Sequence, residues 1–539
     1  MKKTREIKYI FVVGGVMSGL GKGIAASSIG YLLKQADVSV TILKLDPYLN
    51  VDPGTMNPYQ HGEVFVLDDG SETDLDLGHY ERFIDVDMTK NNNATAGQIY
   101  GTVLDRERKG EYLGDTVQVI PHVTDEIKNR IKTLNYPTKK YDVVIIEVGG
   151  TVGDIESLPF MEAIRQLSLE VGYHNHMIVH VTLLPFIKAS GELKSKPTQH
   201  SVMKLREIGL TPDMILCRSE HPIEQPVRDK IALFCNVRSD HVIEGRDVPS
   251  IYEVPLAMHE QNAGQLINER LKIEKKPNLN DLKSFIYNYK NPKFEITIAM
   301  CGKYTELIDS YKSVMEAFVH AGVENNSRVN VKWVQTEKIK GEKSAESAFS
   351  NVHGILLLPG FGSRGGEGKI LSSKYARENK VPFLGICLGM QCAVIDFARN
   401  VCGFDGANST EFDKKTRYPV IDLMESQRAI KIKGGTMRLG AYDCELKVGT
   451  KVFAAYRKKN ISERHRHRYE VNNRYRKKLE NNGLIFSGLN MELGVIETVE
   501  VKDHPWFVAG QFHPELKSRV NKAHPLFREF IKASVRRMK

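Results

Sequence analysis

The sequence predicts an α/β protein with two domains, the first built around a doubly wound, mostly parallel sheet and the second a further α/β domain. The first observation is length, because 539 residues exceed what one hydrophobic core usually supports. The second is that apolar stretches alternate with helical patterns, which is typical of βαβ units. The third is that these stretches are apolar throughout, like strands buried on both faces. The strands expected in the first half span residues 8–13, 39–43, 141–146, 177–181 and 213–217.

A polar stretch separates the two predicted domains. Residues 274–281 and 289–292 are rich in Lys, Asn and Pro, which is typical of a linker. A second alternating block begins with the apolar run 294–300, and further strands are expected at 354–358, 381–386 and 506–510. We therefore expect a first domain at 1–275, a linker at 276–293 and a second domain at 294–539.

Composition indicates a soluble protein of a reducing compartment. The hydrophobic content of 41% is ordinary, and seven cysteines without a Cys-x-x-Cys pair favour the cytoplasm. The apolar run 8–13 passes directly into a glycine-rich turn, so a cleaved signal peptide is not expected, and no run approaches the length of a membrane span. The net charge of +10 is interspersed with acids, which favours nucleotide ligands over nucleic acid.

A glycine-rich turn follows the first predicted strand. Residues 14–23 lead into a helix, so backbone amides, the helix N-terminus and Lys22 are expected to hold polyphosphate. The turn departs from the usual phosphate loop, because its glycine spacing is one residue too long and Gly23 replaces the magnesium-binding Ser or Thr. Another group must therefore hold the metal.

Two carboxylates are candidates for that metal. Asp76 lies in an acidic string at 72–80, and Glu147 ends the apolar strand 141–146. A carboxylate at the carboxyl end of a buried parallel strand faces the same crevice as the phosphate loop, and Mg²⁺ prefers oxygen ligands. The alternative is that Asp76 is a solvated loop acid and Glu147 a capping residue.

The second domain contains a cysteine between a strand and a helix. Cys387 follows the strand 381–386 and precedes a helix expected at 389–398, so we predict a nucleophile elbow whose helix favours the thiolate. His513 and Glu515 follow the apolar run 506–510, and a strand end there would aim both side chains the same way. The alternative is a structural cysteine and an unrelated surface His-Pro-Glu.

These strings carry a family resemblance. Gly385-Ile-Cys-Leu-Gly-Met-Gln391 with Phe512-His-Pro-Glu515 resembles class I, triad-type glutamine amidotransferases, in which the cysteine releases ammonia from glutamine. Over nearly the whole chain, strings such as Asp74-Leu-Asp-Leu-Gly-His-Tyr-Glu-Arg82 and Lys194-Ser-Lys-Pro-Thr-Gln199 resemble CTP synthases. The resemblance implies a phosphate-loop synthetase domain joined to a class I amidotransferase domain. It also implies that ATP phosphorylates the uracil O4 of UTP before ammonia displaces that phosphate.

The resemblance also assigns roles to individual residues. Contacts to ATP fall on Ser18, Gly19, Leu20, Gly21, Lys22, Gly23, Lys44 and Asp76, with Asp76 and Glu147 as Mg²⁺ ligands. Contacts to UTP or the inhibitor CTP fall on Ser18, Asp154, Ile155, Glu156, Lys194, Lys196, Gln199 and Lys230. Contacts to glutamine fall on Gly360, Phe361, Leu388, Gln391, Glu411 and Arg468. Without the resemblance, the lysine cluster is an ordinary solvated surface group.

Further implications concern ammonia, regulation and assembly. His61 is similar to a position linked to ammonia delivery, while 364–368 and 434–440 match regions tied to activation by GTP. A homotetramer and an enclosed ammonia route are also implied. In one respect the chain departs from the family, because Pro359 is followed by a single glycine where two are usual. The amides of Gly360 and Phe361 remain the expected oxyanion donors.

Two other functions stay open on the residues alone. One is a synthetase of the same phosphate-loop group that amidates a carboxylate. The string at residues 194–199 argues against this function. The other is a non-catalytic nucleotide-binding assembly protein, against which the retained chemical residues argue.

Overall fold

Two separate structural units account for the described chain. The computed structural model describes residues 6–51, 62–134, 140–303, 308–423 and 437–539. The first unit contains 6–51 and Asp76–Ile286, and the second contains 62–75 and Tyr287–Lys539. Residues 62–75 thus precede most of the first unit in sequence but belong to the second.

The structure forms the α/β elements that the sequence predicts. The strands up to residue 246 are β1 Lys8–Gly14, β2 Val40–Asp46, β3 Phe65–Val66, β4 Glu72–Thr73, β5 Asn93–Thr95, β6 Val143–Val148, β7 His176–Leu183, β8 Phe186–Ile187, β9 Glu192–Leu193, β10 Met214–Ser219 and β11 Val242–Arg246. The helices of this part are α1 Lys22–Gln35, α2 Leu75–Ile84, α3 Ala96–Arg108, α4 Thr124–Thr133, α5 Leu158–Val171, α6 Lys196–Glu207, α7 Gln225–Cys235, α8 Val254–Glu260 and α9 Ala263–Leu271.

The rest of the chain alternates in the same way. Its strands are β12 Phe294–Gly302, β13 Ser327–Gln335, β14 Gly354–Leu357, β15 Phe383–Ile386, β16 Asn408–Ser409, β17 Pro419–Leu423, β18 Arg438–Leu446, β19 Asn460–His467, β20 Tyr469–Val471, β21 Leu484–Asn490, β22 Val495–Val501 and β23 Phe507–Gly510. Its helices are α10 Asn280–Lys290, α11 Lys312–Glu324, α12 Glu342–Phe349, α13 Gly366–Glu378, α14 Leu388–Asn400, α15 Lys451–Tyr456, α16 Arg476–Asn481 and α17 Pro525–Met538. Helix α10 lies within the predicted linker.

The first unit is a doubly wound parallel sheet. Its strand order is β11-β10-β7-β1-β6-β2-β5, and every pairing is parallel. β1 lies between β7 and β6, and the direction in which later strands are added to the sheet reverses at this point. Ile10, Phe11, Val12 and Val13 of β1 are all 0% exposed, which explains why the strand is apolar at consecutive positions.

The second unit contains a mixed sheet. Strands β13, β12, β14, β15 and β23 pair in parallel, and β22, β21, β18 and β19 continue the sheet as antiparallel strands. Along β14, Ile355 and Leu357 join one buried cluster while Leu356 joins another, so the strand is covered on both faces. The predicted α/β class is confirmed in both units.

None of the helices in the described ranges is long and apolar enough to cross a membrane.

Candidate active sites

Cys387 occupies the turn between β15 and α14, as predicted. Its backbone has φ 53° and ψ −105°, a strained geometry that aims the side chain away from the strand. Gly389 allows this turn, because a Cβ there would lie 2.5 Å from the carbonyl oxygen of Leu357. The sulfur of Cys387 lies 3.8 Å from Nε2 of Gln511 and 3.9 Å from the carbonyl oxygen of Arg466.

His513 and Glu515 form a buried pair beside Cys387. The Nδ1 atom of His513 lies 2.8 Å from Oε1 of Glu515, and both residues share a pocket with Cys387. Burial alone would lower the pKa of His513, but the Glu515 carboxylate and then Cys387 raise the pKa to about 10. The imidazole is therefore held as a cation at neutral pH. β23 ends at Gly510 as predicted, but His513 and Glu515 are aligned by a 3₁₀ turn at Pro514–Lys517 and not by the strand end itself.

The loop after β14 is held from two sides. Nζ of Lys303 donates to the carbonyl oxygens of Phe361, at 2.5 Å, and Gly362, at 3.3 Å. The amide of Gly362 donates to Glu411 at 2.5 Å, while buried Lys369 donates to the carbonyl oxygen of Leu358 at 2.5 Å. The fixed loop can present its backbone amides to a developing oxyanion despite its single glycine after Pro359.

A pocket of about 400 Å³ opens next to the nucleophile. Its lining includes Cys387, His513, Gly360 and Phe361. Arg466 also lines it and pairs with Glu72 at 2.6 Å. The sequence reasoning missed Arg466, although the residue lies within 463–472, a string that supports the family resemblance. It also missed the contribution of Gly62, Glu63, Val64 and Val66 to the same pocket.

Two further predicted glutamine contacts, Leu388 and Gln391, lie on α14 directly after Cys387. Nε2 of Gln391 donates to the carbonyl oxygen of Tyr469 at 3.1 Å and to Oε1 of Gln511 at 3.3 Å. Its own Oε1 is buried and has no partner among the described residues, so it is available to a ligand donor. Leu388 starts α14 and is 1% exposed. Arg468 is not among the residues that line the pocket.

In the first unit, the glycine-rich turn leads into α1. Gly19 and Gly21 adopt left-handed φ values of 74° and 87°, and Gly21 is the N-cap of α1. Lys22, the first helical residue, is 8% exposed and donates to the carbonyl oxygen of Gly150 at 2.5 Å. Burial lowers the pKa of Lys22. The turn thus offers helix-end amides and one poorly solvated cation to an anion.

Asp76 and Glu147 converge on one cation. Lys44 donates to Oδ2 of Asp76 and, at 2.9 Å, to Oε1 of Glu147. Burial would lower the pKa of Lys44, but these two carboxylates raise it well above its usual value. Tyr80, which the sequence reasoning did not single out, donates to Oε2 of Glu147.

The missing Ser or Thr at position 23 has a steric explanation. A Cβ on Gly23 would lie 2.5 Å from Oδ1 of Asp76 and 3.4 Å from Oε2 of Glu147. Both carboxylates therefore reach the space that a phosphate-loop hydroxyl would fill. Two hard oxygen ligands at this point suit Mg²⁺, which usually takes one or two carboxylates together with phosphate oxygens and water.

The predicted UTP contacts lie on several loops and helices. Lys194 follows β9 and pairs with Glu192, Lys196 begins α6, and Lys230 lies on α7. Gln199 is 8% exposed and donates to Oγ of Ser195 at 3.0 Å. The carboxylate of Asp154 accepts from the amide of Thr151 at 2.9 Å, while Ile155 is 83% exposed. Within the described residues, no hydrogen bond or ion pair joins this 154–156 turn to the three lysines.

The predictions for ammonia delivery and for GTP activation fall partly on residues that the structure does not describe. His61 and residues 434–436 lie outside the described residues. Arg364, in the segment similar to a GTP-linked region, pairs with Glu337 at 3.2 Å.

Comparison with known proteins identifies the family of each domain. A family model described as the CTP synthase N-terminus matches residues 8–273, and one described as class-I glutamine amidotransferase matches 306–533. A CTP synthase of Caldanaerobacter subterraneus is 58% identical, covering 98% of both chains. A CTP synthase of Methanocaldococcus jannaschii is 55% identical, again over 98% of both chains. A structure described as the glutaminase domain of Trypanosoma brucei CTPS with bound acivicin is 35% identical, with a TM-score of 0.42, covering 45% of this chain and 94% of that one.

A synthetase domain and a class-I glutamine amidotransferase domain in one chain define a glutamine-dependent ligase. The two family models and the full-length relatives make the assignment specific. The chain belongs to the CTP synthase family. It performs the glutamine-dependent amination of UTP to CTP.

Proposed function

We propose that Cys387, His513 and Glu515 form the glutaminase triad. The supporting observation is the buried His513–Glu515 pair next to Cys387 in one pocket. The Cys387 thiolate attacks the side-chain carbonyl of glutamine, and the loop amides at 360–361 stabilise the oxyanion. Imidazolium His513 gives its proton to the departing nitrogen, which leaves as ammonia. Water then cleaves the thioester, which yields glutamate and the free thiol.

The first unit then supplies the chemistry that uses this ammonia. Transfer of the terminal phosphoryl group of ATP to O4 of UTP converts a poor leaving group into phosphate, which ammonia displaces. We assign Lys22 and Lys44 to the neutralisation of the transferred group and the amides of 18–23 to the ATP phosphates. Asp76 and Glu147 are the residues that would hold Mg²⁺, which supplies charge neutralisation on the phosphates when bound.

The other assignments rest on resemblance to the family. We assign Asp154, Ile155, Glu156, Lys194, Lys196, Gln199 and Lys230, with Ser18, to UTP and to feedback inhibition by CTP. Activation by GTP, a homotetramer, a cytoplasmic location and the boundaries 1–275, 276–293 and 294–539 belong to the same proposal. The seven free cysteines support a reducing compartment.

The test is CTP formation from UTP, ATP and Mg²⁺, with glutamine plus GTP in one reaction and ammonium in the other. We expect CTP in both. Activity with ammonium alone would contradict the proposed triad or its coupling. Activity with neither would contradict the proposed synthetase site and would direct a screen of carboxylate acceptors.

Glu515→Gln should weaken the glutaminase by lowering the pKa of His513. The neutral amide removes the charge that raises this pKa, so His513 loses its proton at a lower pH. Glutamine-dependent CTP formation should fall by about 10²-fold or more, and its alkaline limit should move to lower pH. The measurement is the pH profile of both activities, with exposed Glu346→Gln on α12 as the matched control. An unchanged alkaline limit would rule out this role of Glu515.

Gly23→Ala should damage the synthetase. The added methyl would lie 2.5 Å from Oδ1 of Asp76 and would push that carboxylate out of the proposed magnesium site. We expect ammonia-dependent CTP formation to fall by about 10²-fold, because positioning and charge neutralisation both suffer. The matched control is Gly101→Ala in α3, where the new methyl would meet no atom within 4 Å. Equal activities of the two variants, measured at saturating Mg²⁺, would contradict the proposed crowding.

A further inference from the structure

A cluster of buried ionisable side chains lies near the nucleophile but takes no part in the proposed triad. Arg438 on β18 pairs with Glu470 on β20 at 3.1 Å and with Glu497 on β22 at 2.6 Å. His465 and His467, both on β19, complete the set. The five side chains are between 0% and 6% exposed. We call these residues the Arg438 cluster.

Hydrogen-bond geometry fixes the protons on the two histidines. Nδ1 of His467 lies 3.2 Å from the carbonyl oxygen of Tyr469, which can only accept, so this Nδ1 carries a hydrogen. A neutral imidazole has one N–H, so Nε2 of His467 must accept. Its neighbour at 2.9 Å is Nδ1 of His465, which therefore donates. The remaining nitrogen of His465, Nε2, is left with a lone pair.

That lone pair faces a second acceptor. Nε2 of His465 lies 3.4 Å from Oε2 of Glu497, and neither atom has another hydrogen-bond partner among the described residues. Two acceptors buried against each other repel unless a proton lies between them. A proton here would also balance the charge, because one Arg438 guanidinium faces the two carboxylates of Glu470 and Glu497.

The directions of the pKa shifts in the cluster agree with one retained proton. Burial and the nearby Glu497 raise the pKa of Glu470 to about 8, and burial raises the pKa of Glu497 too. Burial and Arg438 lower the pKa of His465 and His467 well below their usual value, so both rings are neutral. The proton belongs to the carboxylate pair, and the contact with His465 favours the Glu497 side.

The cluster connects to the glutaminase through the Tyr469 carbonyl. This oxygen accepts from His467 and also, at 3.1 Å, from Nε2 of Gln391. The same Gln391 nitrogen lies 3.3 Å from Oε1 of Gln511, whose own nitrogen lies 3.8 Å from the sulfur of Cys387. The main chain of Gln511 is fixed as well, because its backbone N–H donates to the carbonyl oxygen of Glu497 at 2.8 Å.

We propose that the Arg438 cluster stores one proton between Glu497 and His465, and that its hydrogen-bonded chain positions Gln391 and Gln511 for glutamine. This inference rests on the proposed glutaminase site and assigns Glu497, His465 and His467 as positioning residues. Other titratable groups that face the cluster are the Cys444 thiol and Tyr442, both on β18, and His513. The proton is present at neutral pH and is lost on the alkaline side, because the carboxyl pKa values are raised. Alkaline pH should therefore raise the KM for glutamine.

Glu497→Gln provides the sharpest test. The amide places a permanent N–H opposite Nε2 of His465 and an acceptor opposite Arg438, which reproduces the protonated carboxyl. We expect a KM for glutamine near that of the unmodified protein at neutral pH, without the alkaline rise. Glu470→Gln is the matched comparison, because it keeps the same net charge but leaves an ionised Glu497 against His465. Its KM should be about 3- to 10-fold higher at neutral pH, which is the effect of one buried hydrogen bond.

His467→Phe should interrupt the chain directly. The expected result is a rise of about tenfold in the KM for glutamine, with ammonia-dependent CTP formation unchanged. His504→Phe, at a buried histidine that bonds only to backbone atoms in the described residues, controls for the loss of a buried imidazole. Melting temperatures identify variants that fail to fold, and Glu497→Gln remains decisive because it preserves size.

Several outcomes would overturn the proposal. An alkaline rise in KM that Glu497→Gln shares with the unmodified protein would refute the stored proton. A normal KM for glutamine in His467→Phe would refute the positioning chain. A normal KM in Glu470→Gln together with a raised KM in Glu497→Gln would show that the proton lies on Glu470 and not on Glu497. Absence of glutamine hydrolysis by the unmodified protein would instead refute the proposed glutaminase, so the two failures are distinguishable.

Discussion

Cys387→Ala should abolish glutamine-dependent CTP formation and leave ammonia-dependent formation within about twofold of the unmodified protein. Alanine keeps the elbow's small side chain but removes the only atom that can form the thioester, so the loss should reach about 10³-fold or more. In the proposed function, phosphorylation of UTP uses residues of the first unit and does not involve the thiol. The measurement is the initial rate of CTP formation with each nitrogen source.

Cys402→Ala is the matched control for this change. Cys402 follows α14, is only partly buried and is also a free thiol. We expect both activities of this variant to match those of the unmodified protein. Equal loss of glutamine- and ammonia-dependent activity in Cys387→Ala, with intact folding, would contradict the division of labour between the two units.

Lys22→Ala should remove both activities. The Lys22 ammonium is 8% exposed and lies near Lys44, Asp76 and Glu147, where a phosphoryl group would need cations around it. Because phosphorylation precedes either nitrogen source, we expect CTP formation to fall by about 10³-fold with glutamine and with ammonium alike. The measurement is CTP release together with ADP release, which reports the phosphoryl step separately.

The control for Lys22→Ala lies on the same helix. Lys34 is exposed in the last turn of α1, so Lys34→Ala removes an equal charge without touching the phosphate loop. We expect Lys34→Ala to form CTP at the rate of the unmodified protein with either nitrogen source. Ammonia-dependent CTP formation that survives in Lys22→Ala would refute the proposed role of Lys22.

The local pattern of apolar residues in the sequence was sufficient to predict most of the fold. Strands such as β1 and β14 are buried on both faces, so their apolar runs are continuous and easily recognised. The antiparallel extension β22-β21-β18-β19 was not predicted, because its strands carry buried polar residues such as Arg438, Glu497 and His465. Those residues interrupt the apolar pattern, and only their mutual pairing makes their burial tolerable.

The sites were predictable where residues adjacent in sequence act together. Cys387, the phosphate loop and the pair His513 and Glu515 each lie in one short string. Contacts between residues far apart in the sequence could not be predicted, because no local sequence pattern indicates them. Arg466 reaches the Cys387 pocket with Glu72 as its partner, 394 residues away in the chain, and Tyr80 reaches Glu147 across 67 residues.

The segment 62–75 belongs to the second unit and continues directly into the first unit at Asp76. Its Glu63 and Val64 line the Cys387 pocket, and its Glu72 holds Arg466 there. One residue beyond the segment comes Asp76, which pairs with Lys44 in the first unit. Glu72, which contacts the proposed glutaminase pocket, and Asp76, a proposed magnesium ligand, are therefore only four positions apart in the chain, with three residues between them.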